Sequence, residues 1–310
     1  MMDKQKLIIL TGPTAVGKTA LSIKLAQKIG AQIISADSMQ IYKYMDIGTA
    51  KITPQEMQGI PHYLVDLLEP EDACNVYRFA ELAKEAIKDI SAKKSIPLVV
   101  GGTGFYIRAL LYDTDFSETE GAGAYRAELE KMAEEIGNHA MHEMLREIDP
   151  VSYETIHENN VKRVIRALEY YHDTNGPISE HNEREHSKES PYDFRYFVLT
   201  DDRETIYRNI DRRVDLMMEA GLVEEVKGLL KRGCSREMIS MQGIGYKQLI
   251  PYLEGEYPLE RAVELIKRDS RHYAKRQLTW FRREKDVIFF DKRDYDHDDE
   301  KILQKMLEYL

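Results

Sequence analysis

The chain has 310 residues, of which 43% are hydrophobic, enough for a sizeable core and for about two domains or one core with an insertion. Its formal net charge of −10 excludes a generally basic surface, so a polyanionic partner must be met by local clusters of Lys and Arg. No apolar run reaches the roughly 18 residues of a membrane span, and the only cysteines, Cys74 and Cys234, lack metal-ligand spacing and read as reduced thiols.

The N-terminal "MMDKQKLIIL" passes straight into a strand pattern without an apolar signal segment, which predicts a cytoplasmic protein. The strand Leu7–Leu10 runs into Gly12, Pro13, Thr14, Ala15, Val16, Gly17, Lys18 and Thr19, the Gly-x-x-x-x-Gly-Lys-Thr spacing of a phosphate-binding loop. The glycines let consecutive N–H groups turn inward toward phosphate oxygens. The helix that follows, marked by Leu21, Leu25 and Ile29, adds its N-terminal dipole. Lys18 supplies a charge for the terminal phosphates, and the Thr19 hydroxyl is the expected Mg²⁺ ligand. Such a loop reads phosphates and little else.

The second strand, Ile33–Ile34, leads to Asp37 at the carboxyl end of the expected sheet, where ligands of open α/β sheets bind. Asp37 can hold Mg²⁺ or act as a general base, or it can simply shape a turn. Ser38, Met39 and Gln40 follow it, and a Gln suits an adenine edge through two hydrogen bonds. Tyr63–Leu67 reads as a third strand. Its Asp66 is a candidate for the metal-binding acid of an ATPase, although the run continues apolar into Leu67 and Leu68. The Asn-Lys-x-Asp base reader of a GTPase is absent from the sequence.

Phe79, Leu82, Ala83 and Ile87 mark another helix, and Ile96–Val100 another strand. That strand ends in "GGTG", Gly101 to Gly104, which either brings the Thr103 hydroxyl to the same crevice or forms only a tight turn. Near-continuous apolar strands alternating with helices predict an α/β fold, an open parallel sheet of the P-loop NTPase kind. Phe194–Leu199 and Val287–Phe290 add two later strands.

From 117 to 190 the composition turns charged and rich in Glu and His, which predicts a helical insertion into a core of residues 1–116 and 191–310. Its helices read as Ala124–Ile136, His139–Ile148 and Asn160–His172, followed by the polar connector "HNEREHSKESP". In the last helix Val161, Val164, Ile165 and Leu168 share one face, and Lys162, Arg163 and Arg166 another. Residues 267–285 carry eight Lys or Arg against two acids, interleaved with His272, Tyr273, Trp280 and Phe281. Each helix taken alone reads equally well as a solvated face over a core stripe. Basic and aromatic groups together suit single-stranded RNA, whose bases stack and whose phosphates pair with Arg, and two such clusters in an acidic chain favour a polyanionic partner.

Taken together, "GPTAVGKT", "SADSMQIYKYMDIGTAK", "PHYLVD", "VGGTGFYIRALL", "NNVKRVIRALE", "DRRVDLMMEAGLVEEV", "QGIGYKQ" and "RHYAKRQLTWFR" resemble the tRNA dimethylallyltransferases (the tRNA isopentenyltransferase family) in order and over nearly the full length. The insertion matches least outside Arg126 and the 160–169 helix, and the zinc module that other members carry at the C-terminus is absent, as in the bacterial type. The resemblance implies a dimethylallyl group moved from dimethylallyl diphosphate to N6 of the adenosine 3′ of the anticodon, with Asp37 as base. Thr103, Lys18 and Arg213 would then stabilise the leaving pyrophosphate. By the same analogy Asp37, Ser38, Met39, Gln40 and Thr103 receive the flipped base, Arg126, Lys162, Arg163 and Arg166 grip the anticodon stem-loop, and the chain works as a monomer with Mg²⁺. A small-molecule or nucleotide kinase using the same loop is the rival reading, and a non-catalytic RNA-binding P-loop protein a third.

Overall fold

The computed structural model describes residues 4–114 and 123–310, which divide into two compact units: Met1–Leu110 with Pro191–Leu310, and Leu111–Ser190. In the first unit six parallel strands form one sheet in the order β3-β2-β4-β1-β5-β6. They are β1 (Gln5–Thr11), β2 (Ala31–Ala36), β3 (His62–Tyr63), β4 (Ile96–Gly101), β5 (Tyr192–Thr200) and β6 (Val287–Asp291). Leu7, Ile9, Leu10, Ile34, Leu98 and Val99 have almost no exposed surface, as expected of strands covered on both faces. Registers such as Thr11 beside Gly101 and Ala36 beside Gly101 bring the ends of β1, β2 and β4 to one level at the carboxyl edge. Helices α1 (Lys18–Ile29), α2 (Pro54–Met57), α3 (Val76–Ala92) and α4 (Gly104–Leu111) connect these strands.

The expected third strand, Tyr63–Leu67, is corrected to His62–Tyr63. Leu64 and Asp66 take left-handed φ values of 60° and 53°, which end the pairing even though the run stays apolar. Asp66 itself accepts an ion-pair hydrogen bond from Lys51 Nζ at 2.5 Å, so it is bound to a cation of its own and not poised for a metal at the phosphate loop.

The second unit holds α5 (Gly123–Glu143), α6 (Leu145–Ile148), α7 (Pro150–Thr155), α8 (Val161–Thr174) and α9 (Ile178–Ser187) around Leu129, Met141, Leu145, Val164, Ile165 and Leu168. Gly137, at φ 81°, breaks α5 near the boundary between the two helices expected there. The polar stretch read as a connector after residue 180 is largely the helix α9 instead. Its start is tied down by Asp149, a fully buried carboxylate accepting from the N–H and hydroxyl of both Ser152 and Ser179. Burial pushes the Asp149 pKa up, but these four hydrogen bonds prevail and hold it below the usual carboxylate range.

The rest of the first unit adds α10 (Arg203–Glu219), α11 (Leu222–Lys231), α12 (Tyr246–Leu253), α13 (Leu259–Phe281) and α14 (Asp299–Leu307). Ile206 and Ile210 of α10 meet Ala274 of α13 and Ala15 of the phosphate loop, so these helices are packed directly onto the functional edge of the sheet.

Candidate active site

Residues 12–19 turn out of β1 into α1 where the phosphate-binding loop is expected. At Gly12 the φ of 148° and the closeness of the Leu199 carbonyl exclude any side chain. Lys18 Nζ donates to the carbonyls of Gly12 and Pro13 at 2.9 and 2.8 Å, folding back over its own loop. Burial, and then the Arg213 charge, lower the Lys18 pKa to about 7 against the opposing pull of Asp37. Arg213, from α10, donates to the Thr14 hydroxyl at 3.3 Å, and burial lowers its pKa while Asp37 resists. The loop thus holds two cations with little to neutralise them except one carboxylate. An anion of high charge suits it.

Thr19 is exposed, and its hydroxyl makes no hydrogen bond among the described residues. No cluster of three His, Cys, Asp or Glu side chains among the described residues could hold a metal by itself. Mg²⁺ does not require one, because it usually takes one or two protein oxygens and completes its shell with water and substrate phosphate. The donor set fits that pattern.

Asp37 follows β2 at the same edge. Its Oδ1 accepts from the backbone N–H groups of Met39 at 2.9 Å and Gln40 at 3.3 Å, so the turn reading of this acid is correct as far as one oxygen goes. The other oxygen has no protein hydrogen bond among the described residues. The Thr103 hydroxyl accepts from Ser38 N–H at 3.3 Å, and Thr103 N–H donates to Ala36 O at 3.2 Å, so the "GGTG" turn is tied to the Asp37 turn.

A cavity of about 260 Å³ opens here, with Thr14, Asp37, Ser38, Met39, Arg213 and Tyr273 among its walls. Gln40 is not one of them. Both hydrogens of its side-chain amide go to the carbonyls of Thr49 and Ala50 at 3.2 Å, so in this conformation it has no donor left for an adenine edge. It braces the 37–50 segment from inside.

Sequence reasoning gives no role to Glu225, Tyr246 or Gln277, and reads Tyr273 as an aromatic for RNA where the structure makes it a wall of this cavity. Glu225 of α11 accepts from the N–H groups of Asp46, Ile47 and Gly48 at 2.8, 2.7 and 3.0 Å, and from the hydroxyl of cavity-lining Tyr246 at 2.7 Å. Tyr273 is pushed up to about 12 by burial and by the nearby Asp37 charge. Gln277 lies on the buried face of α13. Spacing gave α13 a basic and aromatic character, but its inward stripe of Tyr273, Ala274, Gln277 and Phe281 could have been read from the 3–4 residue period.

Of the cations in α13, Lys267 pairs with Asp215 at 2.6 Å and Arg271 with Asp211 at 2.5 Å, both on α10. Lys275 and Arg276, and Arg282 and Arg283 just after the helix, are exposed, and Arg276 also lines the cavity. The helix is therefore a core element with one basic outer face. In the helical unit, Arg126 and Arg166 both bind one oxygen of the buried Glu169, at 2.7 and 3.3 Å, while Lys162 and Arg163 stand exposed beside them.

Comparison with known proteins agrees with this geometry. A family model described as IPP transferase matches residues 40–284, and one described as isopentenyl transferase matches residues 5–72. A tRNA dimethylallyltransferase of Lachnoclostridium phytofermentans is 57% identical over 99% of this chain and 97% of its own. A solved tRNA isopentenylpyrophosphate transferase of Bacillus halodurans is 42% identical, with a TM-score of 0.74 and coverage of 98% of this chain and 96% of its own. A eukaryotic dimethylallyltransferase solved acting on tRNA is 31% identical, with a TM-score of 0.78 over 93% of this chain and 74% of its own.

Proposed function

For a chain that belongs to the IPP transferase family, we propose the transfer of a dimethylallyl group from dimethylallyl diphosphate to N6 of the adenosine 3′ of the tRNA anticodon, with release of pyrophosphate. The observation that carries this reading is one cavity whose walls include Thr14 of the phosphate loop, Arg213 and Asp37. A leaving diphosphate and an acceptor base both find their groups there.

In the reaction the allylic C1–O bond breaks, its electron pair leaves with the pyrophosphate, and a new bond joins C1 to N6. The amine loses one proton to the free oxygen of Asp37, which suits an exocyclic amine whose lone pair is drawn into the ring. Loop N–H groups, Lys18, Arg213 and Thr103 meet the growing negative charge on the leaving group. Diphosphate binding would draw Lys18 off the Gly12 and Pro13 carbonyls and restore its proton. Thr19 would hold Mg²⁺, which when bound neutralises part of the pyrophosphate charge. Asp37, Ser38 and Met39 line the space for a base taken out of its stack. In the helical unit, Lys162 and Arg163, with Arg126 and Arg166 held by Glu169, would take anticodon stem-loop phosphates. The chain would act as a single copy in the cytoplasm; no helix among the described residues is long and apolar enough to cross a membrane.

The test is to incubate purified protein with Mg²⁺, tRNA from cells lacking the modification, and either labelled dimethylallyl diphosphate or ATP. Label in tRNA with pyrophosphate released is the expected result. Consumption of ATP with no label in tRNA would overturn the reading in favour of a kinase.

A further inference from the structure

Gln277 has no part in the residue roles above, yet it touches both glycine-containing turns of the site. Its Oε1 accepts from Thr14 N–H at 2.9 Å, and its Nε2 donates to Gly102 O at 2.9 Å. The side chain is almost fully buried. A Cβ at Gly102 would collide with the Gln277 amide nitrogen, so the glycine there is what lets the amide reach the turn. One helical turn earlier, Tyr273 lines the cavity and stands near the Asp37 charge.

We propose that Gln277 is a positioning residue for the transfer reaction, a clasp that fixes the diphosphate loop against the turn carrying Thr103 and, through Ser38, against Asp37. The inference rests on the prenyl-transfer reading above. An amide is the side chain suited to the task, since it presents one acceptor and one donor to two backbone groups of opposite kind. Leu at this position fills the space but leaves Thr14 N–H and Gly102 O unpaired. Glu retains an acceptor for Thr14 and loses the donor for Gly102. The clasp sets the separation between the leaving group and the base, and misplacement on the scale of 1 Å is costly in such a reaction.

Gly102→Ala attacks the same clasp from the other side, which makes a double-mutant cycle possible. Gln277→Leu, Gly102→Ala, the double variant and Gln277→Glu are compared for kcat, KM for dimethylallyl diphosphate, tRNA affinity, melting temperature and binding of inorganic pyrophosphate. The expected result is a kcat at least about tenfold lower in each single Leu or Ala variant, with tRNA affinity within about twofold of the parent. The double variant is expected to be no worse than the poorer single, and Glu to recover part of the rate.

Pyrophosphate binding is expected to weaken several-fold in Gln277→Leu whichever group the enzyme transfers. If the parent protein prenylates no tRNA but this weakening is seen, the clasp stands and the functional reading falls. An unchanged kcat and unchanged pyrophosphate binding in folded Gln277→Leu would overturn the clasp. So would losses in the two singles that multiply in the double.

Discussion

Replacing Glu225 by Gln tests whether the 37–50 segment is held from α11. The carboxylate accepts four hydrogen bonds: Oε2 takes the N–H groups of Asp46 and Ile47, and Oε1 takes the Gly48 N–H and the Tyr246 hydroxyl. A Gln must point its NH₂ group at one of these pairs. The less costly choice faces Tyr246, whose hydroxyl can rotate to accept, so that Gly48 N–H is left without its partner. A hydrogen bond to a charged acceptor is worth about 1.5–3 kcal/mol, and those that survive on a neutral amide are weaker, so a net cost of about 2 kcal/mol is expected. Local opening of the segment should then become roughly 30-fold more frequent. Hydrogen exchange followed by mass spectrometry on peptides spanning Asp46–Gly48 reads this directly. Because Gly48, Thr49, Ala50 and Tyr246 line the cavity, kcat/KM should fall as well. Unchanged exchange at these three amides in a folded Glu225→Gln protein would refute the reasoning.

Asp37→Asn keeps the Oδ1 acceptor for Met39 and Gln40 but removes the base, so kcat should drop by about 10²–10⁴ with tRNA affinity little changed; a rate within tenfold of the parent excludes Asp37 as the base. Lys18, lowered to about 7, must be protonated to bind a diphosphate, so pyrophosphate affinity measured by calorimetry should fall as pH rises through about 7, and a flat profile to pH 9 counts against it. For folding the sign is opposite: the unfolded chain keeps this proton up to the ordinary value of 10.5, so the ligand-free protein gains stability from Lys18 as pH rises from about 7 toward 10.5. Lys162→Ala with Arg163→Ala should weaken tRNA binding and reduce the slope of log affinity against log salt by about 1 for each phosphate no longer neutralised, whereas an unaltered slope removes both from the interface.

Where a local physical rule is strong, the sequence reads well. The phosphate loop and the strands around it follow from glycine spacing and from apolar runs covered on both faces, and Leu7–Leu10 and Ile96–Val100 fall inside β1 and β4. Where backbone dihedrals override side-chain polarity, the reading fails. Tyr63–Leu67 is apolar enough for a strand, but left-handed turns at Leu64 and Asp66 stop it after Tyr63. The stretch after residue 180 is polar enough for a loop, yet α9 forms because Asp149, a buried acid far back in the chain, anchors its first turn.

The same division runs through the site. The positions of Lys18, Asp37 and Thr103 at the carboxyl edge are legible because each sits at a fixed offset from a strand end. Gln40 misleads for a related reason: an amide beside a candidate base invites an adenine contact, and only the Thr49 and Ala50 carbonyls reveal that its donors are spent. Gln277 and Glu225 bind backbone groups 263 and 177–179 residues away, and a backbone N–H carries no mark in the sequence. A motif names the groups that meet the substrate, whereas the side chains that hold those groups at working distance are visible only once the chain is folded. Substitutions at such holders should therefore slow the reaction while every motif residue remains in place, and that pattern separates positioning from chemistry in this active site.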